Sequence, residues 1–135
     1  MRYLLDVSAL LALGVFDHEL HERVSAWVAS LHPEKAGLAT CSITELGFVR
    51  VLAQVPQYGY TVSEATLLLS RMKTAAVPRL TFINDNHDCS HLPGWVKTPK
   101  QITDGHLVAL ARGNGAVLAT LDAKIRSAFL IPERS

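Results

Sequence analysis

The stretch Ile102-Thr103-Asp104-Gly105-His106-Leu107-Val108-Ala109-Leu110-Ala111-Arg112-Gly113-Asn114-Gly115-Ala116-Val117-Leu118-Ala119-Thr120-Leu121-Asp122 carries the reading of the fold. Leu107, Val108 and Ala111 recur at helical spacing, Thr103 is the expected cap, and Asn114-Gly115 is a left-handed helix stop. Residues 116–120 are a continuous apolar run too brief for a helix and read as a buried strand. A helix, a tight stop and a strand are the closing half of a crossover unit in a parallel sheet.

The same alternation extends toward the N-terminus. Residues 2–5 read as a short buried strand and residues 9–13 as a short helix capped by Ser8 and ended by Gly14. Residues 19–31 form an amphipathic helix, with Val24, Trp27, Val28 and Leu31 on one face. A second strand is expected at 37–40. A third helix, capped by Ser42 or Thr44, runs to about residue 54 before Pro56. A fourth helix spans 63–76 with Ser63 as cap, and a third strand spans 80–83. Residues 84–101 form a long polar loop, a helical turn follows Asp122, and residues 129–131 read as an edge strand. The expected class is α/β, a three-layer α/β/α sandwich with a mostly parallel sheet of four to five strands, in a single domain over 1–135.

Composition narrows the function. Apolar residues make up 49% and charged residues 19% of the 135, which describes a globular domain with one core. The net charge of +1 gives no broad basic surface, so any nucleic-acid contact needs a local patch. Cys41 and Cys89 form no disulfide framework. No signal peptide or membrane-length apolar run is visible, and a cytoplasmic protein is expected.

Four acids stand in apolar company: Asp6, Glu45, Asp104 and Asp122. Asp6 and Asp122 directly follow expected strands. Glu45 and Asp104 fall in the first turns of helices, on the faces shared with Phe48, Val49 and Leu52, and with Leu107, Val108 and Ala111. In open α/β sheets, sites form beyond the carboxyl ends of the strands. Singly, Asp104 is also explained as a partner of a helix dipole, Asp122 as a turn residue and Asp6 as a cap. Jointly, clustered carboxylates need a common partner, and a hard divalent cation, Mg²⁺ or Mn²⁺, suits them. Such an ion generates hydroxide and stabilises charge on a phosphate, which fits phosphodiester hydrolysis.

At these residues the chain closely resembles a PIN-domain endoribonuclease, specifically the VapC-type toxin of bacterial type II toxin–antitoxin pairs. The resemblance rests on Leu4-Leu5-Asp6-Val7-Ser8-Ala9-Leu10, Thr44-Glu45-Leu46, Ile102-Thr103-Asp104-Gly105-His106-Leu107 and Leu118-Ala119-Thr120-Leu121-Asp122, in order across nearly the whole chain. It implies Mg²⁺- or Mn²⁺-dependent RNA cleavage, a homodimer and a cognate VapB-like antitoxin. It makes Asp6 and Asp104 the most direct ligands, has Glu45 ligate or orient a metal or its water, and has Asp122 complete the acidic pocket. Ser8, Thr103 and Thr120 would support the acids from behind. Asp122 is followed by Ala123-Lys124, where the family often has a basic residue at once, and the tail after Phe129 is short.

Lys97, Lys100, Arg112, Lys124 and Arg126 are candidate RNA-phosphate contacts by their position near Asp104 and Asp122 in the chain. Trp95 is expected to pack, and His87-Asp88-Cys89-Ser90-His91 matches no zinc spacing. Leu67, Leu68, Leu69 and Met72 carry more apolar surface than one helix face needs, which suggests a dimer or antitoxin contact. A receiver domain would need paired acids after the first strand, where Asp6 stands alone. A haloacid-dehalogenase-like phosphatase would need Asp-x-Asp, and the chain has Asp6-Val7-Ser8. The alternative from another class is a non-catalytic PIN-like module that binds RNA or protein; dependence on a metal separates the two.

Overall fold

The computed structural model describes residues 1–75 and 77–133. Five short strands, β1 (Arg2–Leu5), β2 (Gly37–Cys41), β3 (Leu80–Ile83), β4 (Ala116–Thr120) and β5 (Phe129–Leu130), form one sheet in the order β3-β2-β1-β4-β5. Every pairing is parallel, with Tyr3 opposite both Leu38 and Val117. Among the described residues, five α-helices cover it: α1 (Val7–Gly14), α2 (His21–Ser30), α3 (Ser42–Gln54), α4 (Val62–Thr74) and α5 (Ile102–Gly113).

Burial on both faces explains why the strands read as apolar runs without alternation. One face packs Leu5, Leu38 and Leu80 against Leu10, Val24, Phe48, Leu52 and Leu69 of α1 to α4. The other packs Leu4, Ala39, Cys41, Ile83 and Leu118 against Leu107, Val108, Leu110 and Ala111 of α5. The result is the expected three-layer α/β/α sandwich. At the β5 edge Arg23 donates through Nε and Nη2 to the Ile131 carbonyl, at 3.0 and 2.5 Å, and ties the end of the chain to α2.

Several helix ends differ from the sequence reading. Asp6, not Ser8, caps α1: its Oδ1 accepts from the Ala9 N–H at 2.8 Å. The helix therefore starts earlier and leaves Ser8 exposed on its first turn. Cys41 precedes α3, and Thr44 Oγ1 reaches back to accept the Cys41 N–H at 3.0 Å. Thr61, not Ser63, caps α4 through a reciprocal box with Glu64, each accepting the other's N–H. The expected end of that helix at Ala76 lies outside the described residues. Thr103 does not cap α5; the chain enters that helix through a tight turn, Pro99–Gln101, which starts it before Thr103. The segment after Asp122 is a plain turn rather than a helical one, closed by the Ile125 N–H on the Asp122 carbonyl at 3.3 Å. Gly115, at φ +68°, makes the left-handed stop that Asn114-Gly115 predicts.

No helix among the described residues is long and apolar enough to cross a membrane. Leu69 is in the core, Leu68 and Met72 pack against it, and Leu67 is exposed on α4.

Candidate active site

All four acids lie at the carboxyl edge of the sheet. Asp6 extends β1, its N–H donating to the Ala119 carbonyl at 3.1 Å, and Asp122 leaves β4 next to it. Glu45 is in the first turn of α3, which follows β2 without a loop. The tight link from α5 into β4 makes that helix run antiparallel to the strands, so Asp104 in its first turn returns to the same edge.

Asp6 is the buried centre of the group. Thr120 Oγ1 donates to its Oδ2 at 2.5 Å while the Ala9 N–H holds Oδ1. The same Thr120 hydroxyl accepts the Asp122 N–H at 3.0 Å, so one side chain orders two acids. Burial pushes the Asp6 carboxyl above its ordinary range. The hydrogen bonds from Thr120 and Ala9 oppose that rise, and the charges of Asp104 and Asp122 add to it. Half-buried Asp104 is raised as well, by burial and then by Asp122. Asp122 is exposed, and its Oδ1 accepts the Lys124 N–H at 2.9 Å. Three carboxylates therefore share one electrostatic field. Among the described residues, however, no three His, Cys, Asp or Glu side chains are gathered closely enough to hold a metal ion.

Glu45 has other company. Its Oε2 accepts from Thr40 Oγ1 at 2.6 Å and faces Lys73 Nζ of α4 at 2.7 Å. Sequence reading missed Lys73, because only the packing of α4 against α3 brings it there. Thr40, fully buried at the end of β2, was legible only as a hydroxyl five residues before Glu45.

Of the expected supporting residues, Thr120 touches Asp6, Thr103 is exposed, and Ser8 is not among the hydrogen-bond partners of Asp6. Lys97 and Arg126 line a cleft of about 550 Å³ with Gly94, Trp95 and Gln101. Lys100 and Lys124 are exposed. Arg112 is not brought to the acids: it lies in the last turn of α5, about 12 Å along the axis from Asp104. Trp95 packs against the α5 side of the core. Gly105 lets the loop lie on α5, since a Cβ there would collide with Val96 Cγ2. Asp85 pairs with His106 Nε2 at 2.5 Å. Burial opposes its ionisation, but the His87 N–H and the His106 ring outweigh burial and hold Asp85 below the usual range.

The PIN-domain profile matches residues 3–129. The chain belongs to the PIN-domain family, with relatives of the VapC type. Ribonuclease VapC44 of Mycobacterium tuberculosis H37Rv is 39% identical over 133 residues, covering 93% of this chain and 89% of that protein. Ribonuclease VapC38 of the same strain is 33% identical over 129 residues, covering 90% and 86%. Among solved structures, M. tuberculosis VapC20, described as a sarcin-ricin-loop-cleaving toxin, superposes with a TM-score of 0.63 at 15% identity over 98% of this chain and 99% of that one. A chain of FitAB bound to an IR36 DNA fragment superposes at 0.54 with 23% identity, over 93% and 87%. These two likenesses bear on the fold alone.

Proposed function

We propose that this PIN domain is a divalent-metal-dependent endoribonuclease toxin, neutralised by a cognate VapB-like antitoxin. The observation that carries the reading is the field shared by Asp6, Asp104 and Asp122 at one sheet edge. The ribonuclease names of relatives 33–39% identical over most of the chain support it.

The donor set is all oxygen, which suits Mg²⁺ or Mn²⁺. Burial and mutual repulsion favour protons on Asp6 and Asp104, a penalty that a dication relieves. The residues thus fit the ion in chemistry, although no three of them are gathered around one point among the described residues. Asp6, Asp104 and Asp122 would be its ligands. When bound, such an ion activates a water and stabilises charge on the phosphate undergoing in-line displacement.

The chain's own groups do the rest. Ala9 and Thr120 fix the orientation of Asp6, and Thr120 also fixes the backbone of Asp122. Glu45, gripped by Thr40, orients a water or a ligand of the ion from the α3 side. Lys97, Lys100 and Lys124 lie in segments that can meet the RNA backbone. A homodimer in the cytoplasm completes the proposal.

A non-catalytic binding module is the second reading, favoured by the ion pair that already neutralises Glu45. Thermal unfolding during a Mn²⁺ titration separates the two. The nuclease reading predicts a saturable rise in Tm that Asp104→Asn loses, and a binding module predicts no such rise.

A further inference from the structure

Beside the acidic cluster, Thr40 and Glu45 meet Lys73 and Phe82, two residues that metal chemistry does not account for. Phe82 on β3 lies opposite Thr40 on β2 in the parallel ladder, so the two side chains stand on the same face of the sheet. Thr40 donates to Glu45, and Glu45 holds Lys73 at 2.7 Å. The ammonium closes the circuit, lying 5.2 Å from the centre of the Phe82 ring. A carboxylate and an aromatic face therefore pin a lysine whose long side chain would otherwise wander.

The pinned pair is open to solvent. Lys73 keeps 34% of its side chain exposed, and Phe82 is 42% exposed on a sheet whose other apolar residues are mostly covered. An ammonium has three donors, and Glu45 takes one. The combination of a fixed cation and a part-exposed aromatic ring suits one nucleotide of a single strand: phosphate on the cation, base against the part of the ring that Lys73 leaves uncovered.

We infer that Lys73 and Phe82 form a nucleotide-binding subsite for single-stranded RNA, flanking the acidic cluster and held in place by Glu45. The inference deepens the proposed function and rests on RNA being the substrate. Lys73 contacts a backbone phosphate and Phe82 stacks on a base, without sequence readout. The α3–α4 side thereby sets how the strand lies as it crosses the acids.

The test is fluorescence anisotropy with a short fluorescein-labelled single-stranded RNA of mixed sequence, in chelator, over a range of salt. Chelator removes chemistry, so binding is read apart from cleavage. Lys73→Gln keeps the aliphatic stem and loses the charge; it is expected to weaken binding at least about fivefold and to lower the salt slope by about 0.7. Lys73→Arg is expected to stay within about twofold of wild type. Phe82→Leu keeps apolar bulk and loses the π-face; it is expected to weaken binding at least about fivefold with the salt slope unchanged. Thermal midpoints confirm that each variant is folded. Wild-type affinity and slope in Lys73→Gln, wild-type affinity in Phe82→Leu, or no binding by the wild-type protein would each overturn the subsite. If binding behaves as expected while metal-dependent RNA cleavage is absent, the nuclease reading alone fails.

Discussion

Thr120 Oγ1 lies 2.5 Å from Asp6 Oδ2, joining the end of β4 to the end of β1 through a buried hydrogen bond. The hydroxyl donates to the carboxylate and accepts from Asp122 N–H, so it has one orientation. Thr120→Val preserves shape and removes both functions. It is expected to leave the buried Oδ2 of Asp6 without a donor and to cost about 1–3 kcal/mol of stability by chemical denaturation. Mn²⁺ affinity should fall about 10- to 100-fold, as when a ligand's supporting partner is removed. An unchanged Mn²⁺ affinity would mean that Thr120 serves only the fold.

Asp104→Asn removes a half-buried charge that repels Asp122. In metal-free protein at neutral pH the variant should unfold at a temperature equal to or above that of wild type. In saturating Mn²⁺ the order should reverse, because wild type gains the binding energy and the variant does not. Paired melting curves check both halves, and a variant that melts lower without metal would contradict the repulsion.

The pH dependence follows from the same two acids. Asp6 and Asp104 are both raised from 3.8, so the folded chain holds their protons more tightly than the unfolded one does. Their contribution to metal-free stability is fully present below 3.8 and is lost as pH rises through the raised folded values. Metal binding needs the ionised forms, so Mn²⁺ affinity should fall as pH drops through that same raised range. Calorimetric titration across acidic pH tests this. An affinity that held down to the ordinary carboxylate range would contradict it.

Gly105 sits beside Asp104, where the loop from Pro93 to Val96 lies against α5. Gly105→Ala drives a methyl group into Val96 and should cost about 1–3 kcal/mol. Adding Val96→Ala should return part of that loss, measured as a coupling in a double-mutant cycle.

The sheet was legible because its strands are buried on both faces: Leu4-Leu5 and Val117-Leu118-Ala119 read as short apolar runs bounded by acids. The edge position of the four acids followed from the parallel alternation alone. Caps were harder. Asp6 serves both as cap and as candidate ligand, so Ser8 looked like the better helix start. Thr61-Val62-Ser63-Glu64 did carry a capping-box signal, obscured by Ser63. The pairs Glu45–Lys73 and Asp85–His106 had no local signal, because each joins elements that meet only in the folded chain. Arg112 looked close to Asp104 in sequence, yet the length of α5 carries it away.

The most direct measurement is cleavage of total cellular RNA by purified, antitoxin-free protein in Mn²⁺ or Mg²⁺, with chelator and Asp104→Asn as controls. Discrete fragments that vanish with chelator and with the folded Asp104→Asn variant are the predicted result. Cleavage that persists in both controls would contradict a mechanism built on these carboxylates.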